Sequence, residues 1–285
     1  MEVKKLTHEQ HVLQLPDTYV GDIELVKKII WHFVIDKMIK CELKYIPGEY
    51  KLFDEIIVNA FDQYVRLNEM EDDSLCLVKN IKITANKETG VISVYNDGEG
   101  ISVKIHPKEK KYIPELIFGD LLTSSNYNKD EIKHVGGKNG YGAKLTNIFS
   151  KSFSIETVDR ESGQKFSMNF YDNKTRKSKP RITKNSGKPY TKITYLPDYA
   201  RFGTEGLSDD MYKLMLKRAY DLSATTGNKV NIYFNGDRLA TKNFEQYADL
   251  YLGSKKDHPR VYGSCGDRWE FIVGLSPSLY FEQVS

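Results

Sequence analysis

The 285-residue sequence is poor in cysteine, with three, and its formal net charge is only +3. It contains no apolar run near the about 20 residues that a membrane-crossing helix requires. Each scarcity excludes something. Cys41, Cys76 and Cys265 are scattered and form neither a CxxC nor a pairable framework, so a zinc knuckle and a disulfide scaffold both drop out and a reducing compartment is expected. The N-terminus has no signal-peptide core. The expectation is an intracellular, soluble protein with no membrane partner. A small net charge excludes blanket attraction to polyanions, so any such attraction must come from local clusters. No repeat or low-complexity tract is present. What is present, 40% hydrophobic and 28% charged residues, suits a globular chain long enough for one large domain and part of another.

Punctuation organises the rest. Residues 1–22 read as a short arm ending in "LPDTYVGD", where Pro16 and Gly21 bend the chain. Strand patterns follow near Trp31–Ile35 and Cys41–Ile46. From Tyr50 to Asn68 the apolar residues Leu52, Phe53, Ile56, Ile57, Ala60, Phe61 and Tyr64 recur at helical spacing. "IKITANKETGVISVYND" reads as two strands around a turn at Glu88–Gly90. Ala143–Ser150 reads as a helix, strands are expected near 152–158, 165–171 and 191–196, a helix near 208–224 and a strand at 229–235. New strand signals begin beyond about residue 245, and "LYFEQVS" breaks off within an element. Antiparallel hairpins mixed with helices predict an α+β layered fold.

Three stretches carry chemistry. On the 50–68 helix, Glu55, Asn59 and Asp62 at i, i+4, i+7 form a stripe outside the apolar arc. The stripe is either a solvated face or a carboxylate base one turn from an amide oxygen able to ligate a hard cation. "NDGEGI", residues 96–101, is either a plain tight turn or a strand end whose Asn96 reads the edge of a base while glycines admit a ring and Ile101 packs on it. "VGGKNGYGAKLTN", residues 135–147, is a glycine-rich loop running into a helix, with Lys138 and Lys144 adding charge. Such a loop is a flexible linker or a phosphate cradle. It matches neither the Walker pattern nor GxGxxG.

Glu-x3-Asn on a helix, an N/D-x-G-x-G turn and a glycine-rich lid before a helix, in that order, resemble the GHKL (Bergerat) ATPase family. "PDTYVGDIE" (16–24), "KLFDEIIVNAFD" (51–62), "LLTSSNYN" (121–128) and "VGGKNGYGAKLTNIFS" (135–150) narrow the resemblance to the ATPase region of eukaryotic-type type IIA DNA topoisomerases. "KRAYDLSA" (217–224), "VNIYFNGDRL" (230–239) and "YADLYL" (247–252) extend it over nearly the whole chain. The resemblance implies a GHKL two-layer sandwich: a mixed, mostly antiparallel sheet with helices on one face. It implies an arm (1–22), an ATPase domain (23–245) and the truncated beginning of a transducer domain (246–285).

By position, the resemblance makes Glu55 the general base and Asn59 the ligand of an Mg²⁺ bridging the triphosphate of ATP. Asn96 falls where many family members read adenine with Asp; an amide oxygen still accepts the adenine amino group but carries no charge. Ser124, Ser125 and Asn126 match contacts to ribose and phosphate. Gly137, Lys138, Asn139, Gly140, Tyr141, Gly142, Ala143 and Lys144 would wrap the phosphates, with Lys138 standing where the family commonly has Arg.

The implied activity is that of an ATP-hydrolysing isomerase gate, closing as a homodimer around a DNA duplex. The transducer lysine that reaches the γ-phosphate and the DNA-cleaving tyrosine are not in the chain, so slow turnover is expected, because phosphoryl transfer rests on positioning and charge neutralisation. The alternative is a nucleotide-dependent clamp that does not hydrolyse. The implied location is the nucleus, or the host nucleus or a cytoplasmic viral factory if a virus encodes it, an origin suggested by the short arm. "NKTRKSKPRITKNSGK", residues 173–188, holds seven basic residues and no acid, and reads as a solvated hairpin loop or a DNA contact.

Overall fold

The computed structural model describes residues 5–70, 72–121, 140–266, 269–276 and 280–285. The described part of the arm is helical where only a bend is expected. Thr7 and Gln10 form a capping box that starts α1 (His8–Gln14), and α2 (Asp17–Val20) ends at Gly21. A hairpin follows, β1 (Val26–Val34) with β2 (Lys37–Tyr45), both longer than their apolar patterns suggest.

Helix α3 (Pro47–Glu69) begins with proline in its first turn, where the missing N–H costs nothing. Leu52, Phe53, Ile56, Ile57, Ala60 and Tyr64 of the predicted face are buried, Phe61 is partly buried, and Leu67 extends the stripe. Each such aliphatic or aromatic side chain contributes roughly 1.5–3 kcal/mol when fully buried, so the helix is held by packing rather than by propensity. β3 (Asn80–Ala85) and β4 (Ile92–Asp97) form the next hairpin. Its turn is fixed by Asn86, whose Oδ1 accepts from the Glu88 and Thr89 N–H groups at 2.9 and 2.8 Å.

Helix α4 (Ile113–Gly119) lies where no element is expected, while α5 (Gly142–Ile148) follows the glycine-rich segment where a helix is expected over 143–150. The sheet continues with β5 (Ser150–Asp159), β6 (Gln164–Tyr171), β7 (Arg176–Lys177), β8 (Arg181–Lys184) and β9 (Tyr190–Pro197). A 3₁₀ turn at Tyr199–Phe202 leads to α6 (Asp209–Thr226), capped by Ser208, whose hydroxyl accepts from the Met211 N–H at 3.1 Å. A second 3₁₀ turn at Gly227–Lys229 precedes β10 (Asn231–Phe234) and β11 (Asp237–Arg238). The chain finishes with α7 (Phe244–Leu252) and the hairpin β12 (Arg260–Cys265) with β13 (Trp269–Gly274). The boundary expected between residues 245 and 246 falls inside α7, whose Tyr247 and Ala248 are buried. Its Tyr247 hydroxyl donates to Asp221 of α6, a contact between elements that strand-like composition beyond 245 conceals.

Among the described residues the main sheet has nine strands in the order β11-β10-β3-β4-β9-β5-β6-β7, with β8 also on β6. Its pairings are antiparallel except for β10 on β3, so the sheet is mixed and mostly antiparallel as expected. Alternation puts Ile81, Ile83, Val94, Ile155, Phe166 and Ile193 on one face, in one core with the apolar stripe of α3 and with Met211, Met215 and Ala219 of α6. The β1–β2 hairpin packs on α6, with the Phe33 ring stacked 4.1 Å from that of Tyr220. A smaller core joins Val12 and Val20 of the arm to Leu52 and to Leu145, Ile148 and Phe149 around α5. Among the described residues no helix is long and apolar enough to cross a membrane.

Candidate functional site

The helix-covered side of the sheet carries those expected site residues that are described. Glu55 is half-buried on α3, and Lys51, one turn earlier, holds its Oε1 at 2.5 Å. The other oxygen faces the start of α5: a Cβ built on Gly142 would lie 1.7 Å from Glu55 Oε2. No larger residue fits there without moving the carboxylate. Glu55 therefore has one oxygen fixed by a cation and the other directed at the first turn after the glycine-rich loop. Asn59, one turn further along the same face, is exposed. Asp62, the third residue of the stripe, is half-buried.

The 96–101 turn lies toward the opposite end of α3. A Cβ on Gly98 (φ +117°) would come within 3.3 Å of Leu67 Cδ1. Leu67 is about 18 Å along the helix axis from Glu55 at 1.5 Å per residue, so the site has two ends of different chemistry. Asn96 is buried on the helix side of β4, and its Nδ2 donates to the Asp97 carbonyl at 2.9 Å. That leaves Oδ1 as its acceptor for a ligand. Asp97 is committed elsewhere, accepting from the Lys79 and Asn80 N–H groups at 2.7 and 2.8 Å. Gly100 (φ +72°) has no room for a side chain, because a Cβ would lie 1.9 Å from the Val158 carbonyl oxygen. The next residue, Ile101, is half-buried against the core, and its N–H donates to Thr157 Oγ1 at 2.9 Å.

Gly140 adopts φ +66°, and Tyr141, which packs on the smaller core, precedes the first turn of α5. Ala143 is buried in the main core. Lys144 is only 4% exposed, and its Nζ donates to the Gly140 carbonyl at 2.5 Å. Burial pulls the Lys144 ammonium down to about 8, against a smaller opposing pull from Asp120. Ser124, Ser125, Asn126, Gly137, Lys138 and Asn139 lie outside the described residues.

Thus Glu55, Gly140, Gly142 and Lys144 converge at one end, while Asn96 and Ile101 sit in the turn at the other. Sequence reasoning missed Lys51, which the i,i+4 spacing from Glu55 could have revealed. It also missed Thr157, which is fully buried on β5 and whose hydroxyl ties the turn to Tyr190 O at 2.9 Å. Only strand register brings that residue to the site. The basic segment is partly spent on structure: Lys174 meets Glu9 at 3.0 Å, Lys177 meets Glu115 at 2.9 Å and Arg176 pairs with Asp172.

No family model matches the chain. Full-length relatives do. The chain is 43% identical over 288 residues to DNA topoisomerase 2 of Pisum sativum, covering 99% of this chain and 19% of that protein. It is 43% identical over 289 residues to a DNA topoisomerase 2 of Caenorhabditis elegans, covering 99% and 18%. The chain thus spans about a fifth of the length of the curated relatives it matches. Among solved structures, the ATPase region of Saccharomyces cerevisiae topoisomerase II superposes with a TM-score of 0.86 at 42% identity, over 95% of this chain and 70% of that one. The ATPase and transducer domains of Balamuthia mandrillaris topoisomerase II give 0.86 at 40% identity, over 95% and 68%.

Proposed function

Because this chain belongs to the family of topoisomerase II ATPase regions, we propose that it binds and hydrolyses ATP between α3 and α5 and serves as the nucleotide-operated gate of a type II DNA topoisomerase. The observation that carries the proposal is the contact of Glu55 Oε2 with the room a side chain would fill at Gly142. It puts a carboxylate against the segment that would hold the phosphates. In this reading adenine lies at the Asn96 end, with Oδ1 accepting its amino group and Ile101 beneath the ring. The triphosphate runs toward Gly140, Tyr141, Gly142, Ala143 and Lys144, and Gly137, Lys138 and Asn139 close over it. Ser124, Ser125 and Asn126 contact ribose and phosphate.

Lys51 fixes the rotamer of Glu55, so Oε2 is free to take a proton from water positioned beyond the terminal phosphate. Lys144 supplies positive charge from a dry setting, where it counts for more than in bulk water. The donor set suits magnesium: Asn59 offers one exposed neutral oxygen one turn from Glu55, and that ion keeps several waters. Bound there, it would neutralise charge on the phosphates.

The proposed division is an arm (1–22), an ATPase core (23–245) and the beginning of a transducer (246–285), with α7 joining the last two. ATP would favour closure of two such chains around a duplex, a population shift with hydrolysis as the reset. A nuclear location accords with that role. A non-hydrolysing clamp is disfavoured by Glu55, whose carboxylate has no evident use in such a protein.

Steady-state phosphate release tests the proposal. Glu55→Gln is expected to keep nucleotide binding and to lose hydrolysis by roughly 10²–10⁴-fold. Gly142→Ala, by pushing Oε2 aside, should lower hydrolysis in the same assay. Turnover at the parent rate in Glu55→Gln would remove the carboxylate from the reaction.

A further inference from the structure

The sheet has a second face, turned away from the helices, and its side chains are not random. The strand register sets Arg238 opposite Tyr233, Tyr233 opposite Lys82, Lys82 opposite Tyr95 and Tyr95 opposite Lys192. The same line continues through Glu156 and Ser167 to Arg181 on β8. It crosses eight strands. At about 4.8 Å per strand it is roughly 34 Å long, one turn of B-form DNA.

Its cations are available. Lys82 Nζ lies 5.5 Å from the ring centroids of both Tyr95 and Tyr233, with no carboxylate partner among the described residues. Among the described residues Arg181 likewise has none, and Arg238 donates to the Asn231 amide oxygen. Two carboxylates, Glu156 and Asp97, lie on the described strands of this face. Glu156 is occupied by Lys165 and by the Tyr190 hydroxyl, each at 2.6 Å, with Lys192 opposite it. Asp97 is turned into the N–H groups of Lys79 and Asn80. Five cations, Lys82, Lys165, Arg181, Lys192 and Arg238, thus outweigh two engaged acids.

We propose that this outer face is a docking surface for the phosphate backbone of duplex DNA, lying across the strands and bound without regard to sequence. The chemistry is that of charge complementarity along a line. The described residues of this line include no aliphatic side chain to enter a bilayer. The face lies opposite the nucleotide side, so the inference does not rest on the ATP reading: a chain that held duplex but no nucleotide would sink that reading alone.

The test is fluorescence anisotropy of the full chain with a labelled duplex of about 25 base pairs, from about 50 to 200 mM salt. Four contacts from Lys82, Lys192, Arg181 and Arg238 predict a slope of log affinity against log salt of about −3.6. Lys82→Gln with Lys192→Gln should reduce the slope by about 2, and adding Arg181→Gln and Arg238→Gln should nearly abolish binding. Lys87→Gln with Lys104→Gln, which break ion pairs with Asp209 and Glu161 away from this line, should leave it unchanged. Each single variant reads a step of about 0.9, so the result stands if the combined variant fails to fold. Unaltered affinity and slope in the paired variants, or capture of anionic vesicles in place of duplex, would overturn the proposal.

Discussion

Lys144 is the residue whose environment makes the sharpest pH prediction. Burial holds its ammonium down at about 8, from 10.5, with Lys174 adding repulsion and Asp120 opposing. The unfolded chain therefore binds more protons than the folded one between about pH 8 and 10.5, and this group's contribution to stability rises with pH across that window. A polyphosphate beside it would favour the charged form again. Binding of an ATP analogue at pH 9 should then take up close to one proton, and at pH 7 almost none, as measured by calorimetry in buffers of different ionisation enthalpy. Lys144→Met should abolish the uptake and weaken binding about 10- to 100-fold, the worth of a hydrogen bond to a charged group. Equal uptake in the variant would move the titration elsewhere. At this scale the sequence was informative where residue type alone carries meaning, as at Glu55, Asn96 and the glycines. It was silent where two distant residues meet: nothing in "YGAKL" says that Gly142 must stay bare because of Glu55.

The elements differ in legibility for a physical reason. Helix α3 could be read because it is long and has a periodic apolar stripe, although it starts at Pro47 rather than at the expected Tyr50. α1, α4 and α7 escaped because seven or nine residues hold too few turns for a period to emerge. β7 and β8 were hidden in the basic stretch, and they exist because the edge of β6 offers them hydrogen bonds. The parallel pairing of β10 with β3 joins segments too far apart for any local pattern. The first turn of α3 also contains an anomaly. Glu49 is 4% exposed, its Oε1 has no hydrogen-bond partner among the described residues, and burial pushes its carboxyl up from 4.5 to about 7. The folded state thus binds this proton more tightly than the unfolded one, so stability falls as pH rises from about 4.5 to 7. Glu49→Gln should stabilise the chain by up to about 3 kcal/mol above pH 7 and by little near pH 5. Urea unfolding at pH 5 and pH 8 checks this, and an equal effect at both would show that ionisation is not the cause.

For the whole molecule, one sheet separates two kinds of surface. Its helix-covered side buries the core and places Glu55, Gly142 and Lys144 together, and its outer side is polar and cationic. The GHKL-type layering was legible only through the family resemblance that the motif order carries; the residues themselves predict no more than α+β layers. Which strand lies beside which was not legible, because sheet order is decided by long-range register. The central claim is that a nucleoside triphosphate lies along α3, base at Asn96 and terminal phosphate at Glu55. The most direct measurement is a crystal structure of this chain with a non-hydrolysable ATP analogue and Mg²⁺. The expected result is adenine within hydrogen-bond distance of Asn96 Oδ1 and a γ-phosphate beside Gly142, one water from Glu55 Oε2. An analogue bound elsewhere, such as the cavity of about 310 Å³ beside Glu49 and the start of α6, or with its base at the Glu55 end, would contradict it.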